Sequence, residues 1–147
     1  MTEPAPYTAP FVLEYAYKRS LGPVLSRFFT GLRDGVLLGA KTADGRILVP
    51  PTEYDPQTGH DVTDLVPLTG SGTVTTWTWC ETPPPGCPLS GPFAWALVQL
   101  DGADTAILHA LEAPQGTVVS GMRVSVRWAE ARSGSLWDFS FQPEDAA

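Results

Sequence analysis

Three features of the 147-residue chain predict a mainly β fold: an N-terminal helix, a small hairpin ribbon and a compact five-stranded barrel. Glycine (14) and proline (15) together make up about a fifth of the residues, against a usual share of about 12%, and they fall as punctuation between short apolar runs. Only one segment carries helical periodicity, and five strand-like runs follow it within about 70 residues. The composition, 43% hydrophobic and 17% charged, excludes a disordered or coiled-coil chain. It describes a protein that buries much of its surface or docks on a partner. The length is too short for a two-domain cofactor enzyme.

Residues 1–10, with Pro4, Pro6 and Pro10, read as an extended arm suited to lying on a neighbour. From Leu21 to Leu32 the apolar residues Leu21, Val24, Leu25, Phe28, Phe29 and Leu32 recur at helical spacing, with Ser20 as expected N-cap and Gly31 or Gly35 near the stop. Short strands come next at 36–41 and 46–49, joined by a turn at Ala43-Asp44-Gly45 of the kind that closes hairpins. A turn-rich loop from Tyr54 to His60 leads to a short run at 64–68, and Gly70-Ser71-Gly72 is expected to break the chain.

Beyond that break the strand candidates are 73–80, 93–100, 105–111, 122–129 and 136–141. In the fourth, Met122, Val124, Val126 and Trp128 share one face and Arg123, Ser125 and Arg127 the other, as a strand half exposed to water requires. The fifth sets Trp137, Phe139 and Phe141 against Asp138 and Ser140. Five such strands, with a longer connection between the third and fourth, suit a small Greek-key barrel of the OB type, a sandwich being the competing arrangement. The expected division is an arm and helix over 1–35, a ribbon over 36–70 and the barrel over 71–147.

Charge is distributed unevenly. Six of the nine basic residues (Lys18, Arg19, Arg27, Arg33, Lys41, Arg46) lie in the first third, and the net charge is −7. No Lys or Arg occurs between Arg46 and Arg123, a stretch holding eight carboxylates. Such a segment repels polyanions, which argues against the one rival function class the barrel suggests, a free-standing module for single-stranded nucleic acid. No apolar run approaches the roughly 20 residues that span a bilayer, and residues 1–10 lack the pattern of a signal peptide. The expectation is a cytoplasmic protein with no membrane contact, in which Cys80 and Cys87 stay reduced.

The run from Phe28 (Phe-Phe-Thr-Gly-Leu-Arg-Asp-Gly-Val-Leu-Leu-Gly), the segment Asp44-Gly-Arg-Ile-Leu-Val-Pro-Pro-Thr-Glu-Tyr-Asp-Pro, then Pro84-Pro-Gly-Cys-Pro, Phe93-Ala-Trp-Ala-Leu-Val-Gln-Leu-Asp-Gly and Gly121-Met-Arg-Val occur in that order over nearly the whole chain. Together they resemble the OB-fold acyl-CoA-associated proteins catalogued as domain of unknown function thirty-five. The resemblance implies an N-terminal helix, a rubredoxin-like ribbon, a C-terminal OB fold and assembly with thiolase-superfamily subunits. The positions matching the family's zinc-binding cysteines are Lys41, Asp44, Asp55 and Thr58. None supplies a thiolate or imidazole, so no zinc and no other cofactor is expected, and the ribbon should persist without metal. This cysteine-free version looks most like the subset paired, as a heterotetramer, with thiolase-like aldolases of steroid side-chain degradation. There the pair cleaves a β-hydroxyacyl-CoA, so acyl-CoA is the implied substrate of the complex.

The chain offers no catalytic set of its own. His60 beside Asp61 reads as a solvated loop, His109 as a core or interface histidine making one hydrogen bond, and Cys80 has no basic neighbour in sequence to activate it. Ser-His-Asp order, phosphate loop and dinucleotide fingerprint are all lacking. What stands out is aromatic surface: Tyr15, Tyr17, Phe28, Phe29, Tyr54 and Trp79 are the expected partner-contact residues. Arg123 and Arg127, on one exposed strand face, are the residues that could meet coenzyme A phosphates.

Overall fold

The computed structural model describes residues 8–144. The part of the expected arm at 1–7 lies outside the described residues. Residues 8–22 run without regular structure, and helix α1 spans Pro23–Asp34. Its N-cap is Gly22 rather than the expected Ser20, and no side chain of its own segment caps it. The orphan amides of the first turn are met from elsewhere: the Glu53 carboxylate accepts from Val24 N at 3.1 Å and from Leu25 N at 3.0 Å. A carboxylate here also complements the positive end of the helix dipole. Gly35, at φ 76°, ends the helix in the left-handed conformation that only glycine adopts without penalty.

A three-stranded antiparallel sheet follows, ordered β2-β1-β3, from β1 (Leu37–Lys41), β2 (Ile47–Leu48) and β3 (Asp64–Leu68). Its own small core is Ala40, Leu48 and Val62, with Leu65 packed on it. The remaining strands, β4 (Ser71–Cys80), β5 (Phe93–Leu100), β6 (Ala106–Leu111), β7 (Arg123–Trp128) and β8 (Phe139–Pro143), close a barrel in the order β4-β5-β6-β8-β7. The skip from β6 to β8 is the Greek-key crossing, and among the described residues this pair is the only parallel one, registered at Leu111 and Phe141. The OB-like barrel is therefore observed, not a sandwich.

Two expectations need correction. The break at 70–72 is a single turn at Gly70; Ser71 and Gly72 already belong to β4. A Cβ on Gly72 would lie 2.6 Å from the Gln99 carbonyl oxygen and 3.0 Å from Leu100 Cα, so glycine is there for close strand approach rather than for flexibility. The fifth strand does not begin at 136. Residues Leu136–Asp138 form a 3-10 turn with a Ser135/Asp138 capping box, and β8 starts at Phe139. Asp138 turns inward, because its buried carboxylate accepts from the amides of Ser133, Gly134 and Ser135 at 2.6–3.1 Å.

One cluster of buried side chains joins helix, ribbon and barrel. Phe28 and Leu32 of α1, Leu37 of β1 and Val49 pack with Val74, Val98, Leu111, Phe139 and Phe141. Among the described residues no helix is long and apolar enough to cross a membrane.

Candidate functional site

The ribbon is held by a polar cluster centred on Arg46. Its Nε donates to Asp44 Oδ2 at 2.8 Å, and its terminal nitrogen donates to both oxygens of Asp55 at 2.8 and 2.9 Å. Thr42 donates to the other oxygen of Asp44, and Thr58 Oγ1 donates to Asp55 Oδ2 at 2.9 Å. The two turns of the ribbon, one around Asp44 and one around Asp55, are thereby tied through a single guanidinium. Donors from Thr42 and Arg46 hold the Asp44 carboxyl down at about 2. The Gln57 amide and Arg46 likewise lower Asp55, whose side chain is only 5% exposed. Three of the four positions aligned with zinc-binding cysteines, Asp44, Asp55 and Thr58, thus sit in a network built for a planar cation. This donor set, with no thiolate or imidazole in it, does not fit zinc. Among the described residues, no group of three or more His, Cys, Asp or Glu is placed to hold a metal ion.

The expected contact aromatics divide. Tyr15 and Tyr17 are 76% and 79% exposed and Tyr54 is 61% exposed, so all three offer free surface. Phe28 does not: contrary to expectation it is 1% exposed, because the helix turns it into the shared core, and it presents no surface to a partner. Phe29 is half-buried, edge-on to Phe28 at 5.5 Å. Trp79 is also half-buried, its indole donating to Glu81 at 2.8 Å. Phe11, Val12 and Leu13, outside the expected contact set, are 84%, 75% and 64% exposed. Their signal was present as an apolar run with no obvious core to join. Beside α1 lies an open groove of about 440 Å³ lined by Ser26, Arg27, Thr30, Gly31, Val36 and Leu38.

Arg123 and Arg127 share the outer face of β7 but differ in availability. Arg123 is engaged by Asp101 at 2.7 and 2.8 Å and by Glu144 at 2.9 Å, which raises its pKa above the usual arginine value. Arg127 is 58% exposed on its side chain and meets only Glu112, at 3.3 Å. It opens onto a cleft of about 380 Å³ lined also by Leu89, Glu112, Trp128, Trp137 and Ser140. There Ser140 Oγ donates to Glu112 Oε1 at 2.5 Å.

The histidines stand as read. His60 is exposed in the loop beside Asp61, and the buried His109 has Nε2 2.7 Å from the Phe139 carbonyl oxygen, its ring packed 4.3 Å from Phe139. Burial pushes the His109 pKa down, so it stays neutral in the core. Cys80 and Cys87 are both free thiols.

Barrel and ribbon define an OB-like fold that carries exposed aromatic side chains. Residues 65–129 match the family model for the ChsH2 C-terminal OB-fold domain. Among similar proteins, a DUF35 domain-containing scaffold protein of Pyrococcus furiosus is 26% identical over 125 residues, spanning 81% of this chain and 92% of that one. Two solved structures share the fold at 23% identity. A DUF35-family protein of unknown function from Sulfolobus solfataricus aligns with TM-score 0.63 over 84% of this chain and 87% of its own. The Ltp2-ChsH2(DUF35) aldolase aligns with TM-score 0.65 over 86% of this chain and 98% of the matched chain.

Proposed function

We propose that this protein is an accessory subunit of a thiolase-superfamily acyl-CoA complex, a retro-aldolase that cleaves a β-hydroxyacyl-CoA in steroid side-chain breakdown. The observation that carries the reading is its likeness, over nearly the full length of the matched chain, to the ChsH2(DUF35) chain of an aldolase. A retro-aldol cleavage needs a base for the β-hydroxyl proton and donors for the enolate that leaves. The partner supplies these groups. This chain's buried histidine is neutral and already bonded, and its exposed one stands in a solvent-facing loop. Its contribution is to dock through the exposed aromatics, steady the partner and complete the acyl-CoA site. Arg127, whose guanidinium is largely free, is better suited than the doubly paired Arg123 to meet a coenzyme A phosphate.

The test is co-expression with a thiolase-like aldolase subunit. A stable heterotetramer that releases the shortened steroid and a short acyl-CoA is the expected result, with Arg127→Ala raising KM for the thioester more than it lowers kcat. Separate elution of the two proteins, with the partner fully active alone, overturns the proposal.

A further inference from the structure

We propose that residues 11–17 dock as an added β-strand, laid along the open sheet edge of the partner subunit with Phe11, Leu13, Tyr15 and Tyr17 pressed into an apolar furrow. The inference rests on the accessory-subunit reading and adds to it where and in what conformation the chain grips its partner. The segment Phe-Val-Leu-Glu-Tyr-Ala-Tyr alternates at period two. Large apolar side chains occupy 11, 13, 15 and 17, and Val12, Glu14, Ala16 and Lys18 fall on the opposite face. Wound as a helix, the same apolar residues would scatter around two thirds of the cylinder and leave no stripe. Composition agrees, since Phe, Val and Tyr favour strands. Pro10 and the Gly22-Pro23 pair bracket the segment, so helix α1 does not extend back into it.

Within the described residues the segment forms no strand and five of its seven residues are large apolar groups between 64% and 84% exposed. A lone extended segment with this surface is unfavourable in water, and edge addition is the mode in which main-chain bonds supply affinity while alternate side chains supply specificity. The area suits a partner rather than a passing contact. Phe11, Tyr15 and Tyr17 alone can bury roughly 500 Å², more than half of the about 800 Å² that each side of a standard interface contributes. The chain's own ribbon offers a poor edge, because β3 carries Pro67 in its middle and Asp64 at its start. Lys18 and Arg19 close the segment with two positive charges in a chain of net charge −7. The partner's edge should therefore meet that end with carboxylates.

The experiment uses the full chain co-purified with the thiolase-like partner. Replacing Phe11, Leu13, Tyr15 and Tyr17 together by serine should weaken the complex at least about tenfold while leaving the melting temperature of the free chain unchanged. Residue-resolved amide exchange on the wild-type complex should then show protection at every second amide of 11–17, the signature of a strand paired on one side. Ala16→Val, which favours a strand and disfavours a helix, should bind at least as tightly as wild type. Undiminished binding by the serine variant, continuous protection along 11–17, or protection that grows with the concentration of this chain alone each overturn the inference, the last assigning the edge to a second copy. These failures leave the complex standing. If wild type forms no complex at all, the accessory-subunit reading falls and takes this inference with it.

Discussion

At the scale of the residue, Arg46 and His109 show how little of a side chain's role is written in its neighbours. Arg46 reaches Asp55, nine positions on, and fixes two turns that no hairpin ladder connects directly. Replacing it with methionine keeps the stem but leaves the Asp55 carboxylate without its cation, and the melting temperature should fall by several degrees. Arg46→Lys should recover only part of the loss, since an ammonium cannot engage Asp44 and Asp55 through a rigid fork. Both carboxyls are held below their unfolded values, so their contribution is present above the ordinary carboxylate range and is lost as pH falls through the folded values, about 2 for Asp44. His109 acts in another window. Its folded pKa is depressed by burial, so the unfolded chain takes up the proton first as pH drops below about 6.5. Stability should accordingly decline as pH falls below about 6.5, and a urea-denaturation series on His109→Phe should show a flatter slope there.

At the scale of the element, the least expected part is the start of α1. Glu53 lies 28 and 29 residues beyond the amides it caps. Glu53→Ala should cost about 1 kcal/mol, the usual worth of a lost N-cap, measured by chemical denaturation. Gly72→Ala should cost about 1–3 kcal/mol through overpacking at the β4–β5 contact, with Ser71→Ala as the mild control. Much of the fold was legible from sequence: β5 and β3 fall at their expected bounds because alternation or apolarity runs unbroken to a turn. The helix start was not, because Ser20 has the right chemistry for a cap and only tertiary structure brings Glu53 there. The 136–138 turn was hidden for a different reason. Trp137, Phe139 and Phe141 alternate whether or not the first of them belongs to the strand. The site was legible in part: Tyr15, Tyr17 and Tyr54 are exposed as expected, whereas Phe28 shares a helical face with Phe29 and only packing decides which of the two is swallowed.

At the scale of the whole molecule, helix, ribbon and barrel share the main core, beside the small one within the ribbon, and they should unfold together. All five tryptophans lie between 77 and 137, in the barrel strands or the turn that leads into β8, while helix α1 lies outside the barrel. Tryptophan fluorescence and far-ultraviolet circular dichroism should therefore report a single coincident transition, and midpoints that separate would show the ribbon and helix to be an independent unit. A fragment restricted to 71–147 would lack Phe28, Leu32, Leu37 and Val49 and should not fold as a stable barrel. The guanidinium clamp also changes what the protein depends on. A turn pair tied by a bound ion is only as firm as the supply of that ion and the reduced state of its thiols. Here the cation is part of the chain and is made with it. Treatment with a chelator or a mild thiol oxidant should leave the ribbon untouched, so a cell starved of metal or under oxidative stress keeps these two turns tied, and acid is left as the agent that unfastens them.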